Sequence, residues 1–446
     1  MEQTIASRYV DVLWDLARQD LPEDIIEEVK KCLIDYMGCT YMGASLLFEE
    51  NSKVLDLSSH AGSCSVLGMD RKTDVYTAGM LNGFDAHVME LDDGHRFGML
   101  HLGAVIISAL LAVCQDRGLS GKEFLRGIVI GYEATIRLAM AIQPGHKRKG
   151  FHATATCGTI GAAIGIAAAL HYDKKQWMTV LTGAATSSAG LLELMDDASL
   201  MKPYNISQAV VSAISAAYFG ISGWNGPEDV LGGERGFLKL MANEVDEASL
   251  FKADDYEIRK IYRKPYAACR HAHAPIEATL DLRNRYSIDP ESVIGIVVQT
   301  YDLAVKGHDH QQIPNSASAR MSIPYAVAAA LCFNEVGYEQ YDDAHINDRQ
   351  LQDLIGKIRV KADPELSALV PKQRAAIVTI ETKQGSWCSR VDHPLGEPEN
   401  PMSATQLEQK YQSLLKATGR DERYRRELLD SIYNIEKDMN GFISKL

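Results

Sequence analysis

The sequence lacks the features that mark zinc-ribbon, secreted and membrane-spanning proteins. Its eight cysteines form no CxxC pair, which argues against a zinc ribbon or a thioredoxin-like motif. Dispersed cysteines of this kind suit a reducing cytosol, where most are buried as small hydrophobic residues. No uninterrupted apolar run reaches the ~20 residues that a membrane span needs. The N-terminal segment has no basic stretch followed by an apolar one, so we expect no signal peptide and a cytoplasmic location.

The chain is also poor in positive charge. It has 46 lysines and arginines against 59 aspartates and glutamates, a net charge of −13. An acidic surface argues against nucleic acid or an anionic membrane as the main partner. It does not exclude an acidic small molecule, because a basic pocket can lie inside an acidic protein. The 446 residues, 46% of them hydrophobic, are enough for two or three hydrophobic cores.

Hydrophobic periodicity predicts a helical body in the first part of the chain. Two helices are predicted within residues 4–38, and the second begins with proline and acidic residues, as helix starts often do. From about residue 73 to 255, Ala-rich apolar segments follow one another. One of them carries Gly158, Gly161 and Gly165 at helical spacing, which predicts close helix packing rather than a phosphate-binding loop.

The pattern changes near residue 256. Four segments have the β-branched residues and the alternation of strands: 293–301, 357–363, 375–385 and 387–393. Helices are predicted between them, a Pro-rich linker follows at 393–403, and helices return from 404. The predicted fold class is mainly α with a second α+β domain. Residues 1–255 and 400–446 would form a large all-helical domain, and residues 256–399 a smaller α+β lid.

One stretch, MELDDGHRFGMLHLGA at residues 89–104, concentrates titratable groups. It contains Glu90, Asp92, Asp93, His95 and His101. Glycines indicate that much of it is a loop, and charged loops are usually only solvated. The two histidines in this stretch favour a catalytic role for it, because imidazole exchanges protons near neutral pH.

Two further clusters carry histidines. His152 lies at the start of the apolar segment GFHATATCGTIGA, where a structural role is the ordinary alternative. The segment YRKPYAACRHAHAP, residues 262–275, combines five cationic or imidazole side chains with two tyrosines. It predicts either an anion site, since lysine and arginine pair with carboxylates, or a basic surface. Its HxH pair and the HDH at 308–310 are isolated from other ligand-type residues, so we predict no metal site.

Two single residues complete the candidates. Lys202 follows a polar run within otherwise apolar sequence, and a solvated loop lysine is the alternative. Tyr325 is the polar ring at the start of an Ala-rich helix. It would be either a proton donor or a core tyrosine with its hydroxyl satisfied.

Together these segments resemble the MmgE/PrpD family, which includes 2-methylcitrate dehydratases, cis-aconitate decarboxylases and iminodisuccinate epimerases. The resemblance extends nearly from end to end. It is carried by CLIDYMGCTYMGA, the ELDDGH loop with its second histidine, GFHATATCGTIGAA, the Lys202 segment, GERGF, KPYAACRHAHAPIEA, SARMSIPYAVA and HPLGEPENPM.

The resemblance implies a helical domain from both chain ends, a smaller lid, a homodimer and an active site between the domains. It also implies chemistry that needs no metal or organic cofactor. The catalytic residues it implies are Asp93, His101, His152, Lys202, Lys264 and Tyr325. The substrate-binding residues are predicted to be Glu90, Gly94, Tyr266, Arg270 and His271. Three positions depart from the family pattern, namely Gly94, Leu102 and Asn205, and they put the particular substrate in question.

The implied chemistry makes or breaks a bond next to a carboxylate of a small di- or tricarboxylic acid. Such a step needs positive charge for the developing anion, from Lys202, Lys264 and others, and a base and an acid, for which His101 and His152 are the candidates. Asp93 and Glu90 would orient these histidines.

The leading hypothesis is a 2-methylcitrate dehydratase-like hydro-lyase. The alternatives are an epimerase of an aminodicarboxylate, a cis-aconitate decarboxylase, and a carboxylate-binding protein that has lost catalysis.

Overall fold

The apolar segments of the first part of the chain form helices, as their composition predicts. The computed structural model describes residues 3–58, 61–252 and 255–446. Its helices up to residue 252 are α1 (Ile5–Ala17), α2 (Glu23–Leu46), α3 (Phe48–Ser58), α4 (Val75–His87), α5 (Gly103–Arg117), α6 (Gly121–Ile142), α7 (Gly145–Arg148), α8 (Ala153–Ala169), α9 (Lys174–Ser187), α10 (Tyr204–Phe219), α11 (Phe237–Met241) and α12 (Glu247–Phe251). Across the described ranges, no helix has both the length and the apolar character that crossing a bilayer requires.

The remaining elements mix helices and strands. The later helices are α13 (His273–Tyr286), α14 (Asp302–Val305), α15 (Ser316–Met321), α16 (Ile323–Phe333), α17 (Asp343–Ile346), α18 (Arg349–Ile355), α19 (Pro364–Ala368), α20 (Ala404–Ala417), α21 (Glu422–Tyr433) and α22 (Met439–Ile443). The strands are β1 (Cys64–Val66), β2 (Arg71–Thr73), β3 (Gly94–His95), β4 (Ile261–Tyr262), β5 (Val293–Thr300), β6 (Ile358–Ala362), β7 (Ala376–Thr382) and β8 (Gly385–Val391). Single 3-10 turns lie at Leu192–Met195, Gly220–Ser222, Glu257–Lys260, Arg270–Ala272, Pro290–Ser292 and Glu339–Tyr341.

The glycines of α8 let it pack very closely against α6. A Cβ added at Gly161 would lie 1.8 Å from Thr135 Oγ1, and one at Gly165 would lie 2.5 Å from the carbonyl oxygen of Gly127. Neither distance is compatible with a side chain, so the two backbones approach as only glycine permits. The prediction of close helix packing from the glycine spacing is therefore confirmed. This packing fixes the start of α8, which carries His152.

A four-stranded mixed sheet, in the order β6-β5-β7-β8, forms the framework of the smaller part of the protein. β5 pairs in parallel with β6 and antiparallel with β7, which in turn forms a hairpin with β8. Ile296 and Val298 lie opposite Ile380 and Val378, and all four are buried beneath α13 and α16. Side chains alternate between the two faces of a strand, so this one apolar face is the pattern that predicted the strands.

The two apolar clusters of the protein meet along α2. The larger cluster joins the helices of the first part of the chain to α20–α22, so the C-terminal helices rejoin the helical body. The smaller cluster belongs to the sheet and its helices, yet it also includes Cys39, Met42, Met89, Leu91 and Leu414 from the helical side. The mainly α fold with an α+β part is confirmed. The domain boundaries themselves stay a prediction.

The structure differs from the sequence-based expectation in three local ways. The second predicted helix, expected to end near Gly38, extends to Leu46 as α2. The helical body is not wholly helical, because β1 and β2 form a small hairpin within it. One of the helices predicted between the strands, over residues 318–333, is two helices in the structure. They are separated where the Ser322 hydroxyl accepts a hydrogen bond from Tyr325 N–H and Pro324 starts the second one.

Candidate active site

A left-handed turn at Glu90 gathers the acidic stretch around the end of α4. Glu90 has a φ of 53°, which is uncommon for a residue with a side chain. The chain therefore reverses after His87, the last residue of α4, and returns through β3 to the start of α5. This brings Asp92 back to His87, with a distance of 2.9 Å between Asp92 Oδ2 and His87 Nδ1. Such a turn, rare for a glutamate, is found where the surrounding structure holds it.

Asp92 is the carboxylate that contacts the histidines. Its Oδ2 accepts a hydrogen bond from His87 Nδ1–H and lies 3.4 Å from His101 Nδ1. Burial alone would raise the pKa of Asp92, but the imidazoles of His101 and His87 outweigh it and hold the pKa below its usual range. The ring centroids of these two histidines are 4.8 Å apart. Asp92 therefore remains ionised, and its hydrogen bond orients the His87 ring.

His101 presents a free lone pair to the cavity. Its Nδ1–H donates to the carbonyl oxygen of Asp93 at 2.7 Å, so the proton of the neutral ring lies on Nδ1 and Nε2 is unprotonated. No residue in the described part of the chain forms a hydrogen bond with Nε2, and the ring lines the cavity. Burial lowers the pKa of His101 to about 3. The ring is thus held in the neutral form that can accept a proton.

His152 is held in the opposite tautomer. Asn205 Nδ2 donates both to the Leu191 carbonyl at 3.1 Å and to His152 Nδ1 at 3.2 Å. The carbonyl fixes which end of the amide faces the ring, so His152 Nδ1 accepts and its proton lies on Nε2. Burial, with the charge of Lys202 next in size, lowers the pKa of His152 well below its usual value. Asn205, a departure from the family pattern, therefore sets the tautomer of a site histidine.

Glu90 holds the two predicted lysines together. Lys264, whose exposed fraction is 0%, donates to the Glu90 carbonyl oxygen at 2.8 Å and lies 3.3 Å from Oε2. Lys202 forms an ion pair with the other carboxylate oxygen. Burial would raise the pKa of Glu90, but the two ammonium groups outweigh it and lower the pKa well below its usual value. Two lysines thus share one carboxylate, which leaves positive charge for a ligand.

Asp93 does not orient the histidines through its side chain, contrary to the sequence-based expectation. One carboxylate oxygen accepts from the N–H groups of Leu102 and Gly103, at the start of α5, and the other accepts from the Tyr132 hydroxyl at 2.7 Å. Burial raises the pKa of Asp93 to about 6. Its side chain is a helix cap, and only its backbone carbonyl reaches His101.

Three other predicted site residues, like the fully buried Lys264, lie away from the cavity surface. Gly94 pairs with Tyr262 in the β3–β4 bridge, where an added Cβ would lie 2.3 Å from the tyrosine hydroxyl. The Tyr325 hydroxyl donates to the carbonyl oxygen of Gln340, and Tyr266 packs against the His273 ring at 5.3 Å between centroids. None of the three lines the cavity. Each has a structural environment that the sequence alone does not reveal.

Arg270 and His271 reach the cavity wall but are already engaged. Arg270 donates through Nε to Glu397 Oε1 at 3.0 Å and through its other nitrogens to backbone carbonyls, so its charge is compensated. His271 Nδ1 lies 2.6 Å from the Tyr301 hydroxyl, and its Nε2 lies 3.4 Å from Lys147 Nζ. Burial, with Lys147 the largest charge effect, lowers the pKa of His271 well below its usual value.

A cleft of about 2000 Å³ joins these groups. Residues from the helical body and from the smaller α+β part both line it. Its titratable lining side chains include His87, Glu90, His101, His152, Lys202, His271 and Arg320. The fold thus brings His101, His152, Lys202 and Lys264 into one region, as the sequence predicted.

Sequence reasoning missed His87 and Asp92 as site residues. His87 and Glu90 are three residues apart around the end of α4, so both reach the same side. This spacing of three residues was the sequence signal that could have identified His87. Arg320 was also missed, because it precedes the apolar run of α16. At that position its sequence context is typical of an ordinary cation near a helix end.

The described ranges contain two groups of ligand-type side chains. Within each group, the possible ligand atoms lie within 4.8 Å of one another; the groups are His87, Asp92 and His101, and Cys269, His271 and His308. The second group joins the HxH and HDH segments, which the sequence treated as isolated. Lys147 beside His271 opposes a divalent cation there by repulsion. The absence of a metal requirement stays a prediction.

The fold and the site together define a class of protein. Its members are mainly helical, and a cleft between a helical body and a small α+β part holds paired histidines and lysines. The MmgE/PrpD N-terminal domain matches residues 8–248, and the MmgE/PrpD C-terminal domain matches residues 266–434. The chain therefore belongs to the MmgE/PrpD family.

Curated relatives match nearly the full chain at low identity. The cis-aconitate decarboxylase of Aspergillus terreus is 24% identical over 95% of this chain and 91% of its own length. The cis-aconitate decarboxylase of Homo sapiens is 23% identical over 93% of this chain and 88% of its own length.

Buried histidines predict loss of stability in acid. Among the described residues, seven have a pKa lowered by burial: His95, His101, His146, His152, His271, His273 and His308. Their stabilisation is present above the ordinary histidine pKa of about 6.5 and is lost as the pH falls towards the folded values. Four carboxyl groups in the same ranges, whose pKa burial raises, act in the opposite sense: Asp85, Asp93, Glu133 and Glu277. Because the histidines outnumber them, we expect the free energy of unfolding to fall by several kcal/mol between pH 6.5 and 4.5.

Denaturant unfolding at constant ionic strength across that pH range measures this decline. Replacing buried His146 with Gln should make the decline shallower, because one depressed pKa of about 4 is removed. Replacing His171 with Gln should leave the slope unchanged, since that side chain is 60% exposed. A protein equally stable at pH 7 and pH 4.5 would contradict the expectation.

Proposed function

We propose that the protein is a lyase that acts on a small polycarboxylate at a carbon next to a carboxylate, and that it works as a hydro-lyase. The observation that carries the proposal is the pair of complementary neutral histidines in one cationic cleft. His101 directs a free Nε2 lone pair into the cavity, while His152 carries its proton on Nε2. A base that removes a carbon-bound proton and a donor that polarises a leaving oxygen are the two requirements of dehydration.

The reaction can be written with the atoms balanced. His101 Nε2 takes the proton from the carbon next to the carboxylate, the carbon–oxygen bond breaks, and the carbon–carbon double bond forms. The proton held by His101 leaves with the hydroxide as water, so the enzyme returns to its starting state. His152 Nε2–H donates a hydrogen bond to the departing oxygen.

Positive charge makes the first step feasible. Removing a proton next to a carboxylate builds negative charge on a group that is already anionic, so preorganised cations are needed to stabilise it. Lys202 and Lys264 share the single carboxylate of Glu90 and supply this charge. Glu90 keeps both ammonium groups positioned before the substrate arrives.

A cis-aconitate decarboxylase-like activity is the second candidate, because the curated relatives above carry that name. Decarboxylation needs a proton donor for the carbon that retains the electron pair. The tautomer of His101 favours proton removal, so we place dehydration first. Epimerisation of an aminodicarboxylate would use the same histidines without net loss of atoms.

The homodimer and the cytoplasmic location implied by the family stay predictions.

The test is a panel of di- and tricarboxylates followed by proton NMR in deuterated water. A hydro-lyase gives an alkene and water from a hydroxy-tricarboxylate such as a methylcitrate. A decarboxylase releases carbon dioxide from cis-aconitate, and an epimerase only exchanges the α-proton for deuterium. Failure of every hydroxy-polycarboxylate to lose water would contradict the proposal. No reaction with any member of the panel would favour the binding-protein alternative.

A further inference from the structure

Among the described residues, three cations that are buried or half-buried line the cleft without a carboxylate partner: Lys147, Arg320 and Arg374. Within the described ranges, none of them lies within 4.0 Å of an acidic oxygen. Lys147 Nζ donates to His271 Nε2 at 3.4 Å, and Arg374 donates to the carbonyl oxygen of Arg96 at 2.9 Å. This differs from the catalytic lysines, which Glu90 compensates.

Arg320 is buried, and its charge has no compensating partner in the described ranges. Its exposed fraction is only 6%, and its Nε is buried with no hydrogen-bond partner in the described part of the chain. Its guanidinium carbon lies 5.2 Å from the centre of the Tyr341 ring. Burying a charged group without a partner is expensive, and buried polar groups are normally satisfied. An anion that enters the cleft would supply the missing acceptor.

The three cations come from different parts of the protein. Lys147 belongs to α7 of the helical body, five residues before His152. Arg320 lies in α15, and its backbone carbonyl accepts from Cys269 N–H at 2.8 Å, which ties it to the segment that carries Lys264. Arg374 precedes β7 of the sheet. A ligand bound by all three would therefore span the cleft from the helical body to the α+β part.

We propose that Arg320, together with Lys147 and Arg374, forms a carboxylate subsite that makes the protein select tricarboxylates over dicarboxylates. The inference rests on the proposed function, since it places the reacting carbon between this subsite and the histidines. Lys202, which lines the cleft beside Glu90, binds the carboxylate next to the reacting carbon, and the three uncompensated cations bind the others. Arginine suits the role because its planar fork pairs with a carboxylate through two parallel hydrogen bonds.

Binding of unreactive acids tests the subsite without turnover. Isothermal titration calorimetry compares tricarballylate, which has three carboxylates, with glutarate, which has two. We expect the wild type to bind tricarballylate at least about 10-fold more tightly, the effect of one charged hydrogen-bonded contact. Arg320→Gln should abolish this preference while changing glutarate binding less than about 3-fold. Arg320→Lys should restore only part of it, because the charge remains and the fork is lost.

Lys147→Gln gives an independent reading should Arg320→Gln fold poorly, and it should weaken tricarballylate binding in the same direction. Arg423→Gln is the matched control, since its side chain is 85% exposed and lies in α21, outside the residues that line the cleft. Circular dichroism and thermal unfolding report whether each variant is folded. Equal affinity of the wild type for the two acids, or a folded Arg320→Gln that keeps the preference, would overturn the subsite.

Turnover separates this inference from the proposed function. If tricarboxylates react and Arg320→Gln raises their KM at least about 10-fold with little change in kcat, the subsite and the lyase are both supported. If tricarboxylates react but KM is unchanged, the subsite is wrong and the lyase stands. If nothing reacts while Arg320→Gln still removes the preference for tricarballylate, the lyase is wrong and the subsite stands.

Discussion

Replacing His101 with alanine is expected to lower kcat/KM by about 10²–10⁴-fold, the usual contribution of a positioned general base. The ring is the cavity histidine whose Nδ1 proton is committed to the Asp93 carbonyl, which leaves Nε2 free to accept the carbon-bound proton. The two carboxylates beside the ring are not free to replace it, because Glu90 is held by two lysines and Asp92 by His87. The measurement is steady-state kinetics on the substrate that the NMR panel identifies.

The control for His101→Ala is His171→Ala. His171 is exposed at the surface, where it pairs with Glu123, so both turnover and folding should be unchanged. Far-ultraviolet circular dichroism and the unfolding midpoint should show that the His101 variant keeps its fold. A folded variant with wild-type turnover would remove His101 from the mechanism. A variant that binds tricarballylate normally but has lost turnover would argue against a mere carboxylate-binding protein.

Replacing Glu90 with glutamine is expected to lower the free energy of unfolding by about 3–5 kcal/mol, the cost of removing one partner of a buried ion pair. Lys264 has no exposed surface, and the Glu90 carboxylate is its only acidic partner within the described residues. The variant leaves that ammonium buried without a counter-charge. The lowered pKa of Glu90 means that this stabilisation is present above the ordinary glutamate pKa and is lost as the pH falls below it.

Denaturant unfolding at pH 7 measures the effect of Glu90→Gln. The matched control is Glu422→Gln, which removes a carboxylate from an exposed pair with Arg426. An exposed pair contributes less than about 1 kcal/mol, so this variant should be nearly as stable as the wild type. A double variant, Glu90→Gln with Lys264→Met, should recover part of the lost stability because no buried charge remains. Equal stability of Glu90→Gln and the wild type would show that Lys264 finds another partner.

The histidine pair illustrates how far the sequence leads at the candidate site. The motifs around His101 and His152 predicted that both belong to one site, and the two rings do line one cleft. The tautomers, however, depend on hydrogen-bond partners. His152 depends on Asn205, which is distant in sequence, and His101 depends on the backbone carbonyl of Asp93, which is close in sequence. Tautomer choice follows from a hydrogen-bond partner in space, so no sequence pattern carries it.

The neighbouring aspartates show the same limit on a smaller scale. Asp92 and Asp93 are adjacent, and the family resemblance assigned the catalytic role to Asp93. The turn at Glu90 directs Asp92 to the histidines and Asp93 to the first turn of α5. Which of two adjacent carboxylates faces the site depends on one backbone dihedral angle, and residue types alone do not determine that angle.

The sequence by itself determined the helical body, the sheet of the smaller part, the close packing of α6 and α8 and the membership of the family. These follow from periodicity, glycine spacing and contiguous motifs, all of which are properties of short segments. Only the tertiary structure decided that the Asp92 side chain rather than the Asp93 side chain contacts the histidines, that Glu397 compensates Arg270, and that Arg320 has no such partner within the described ranges. The physical reason is that charge compensation depends on distances of a few ångströms between residues far apart in the chain, and those distances exist only after folding.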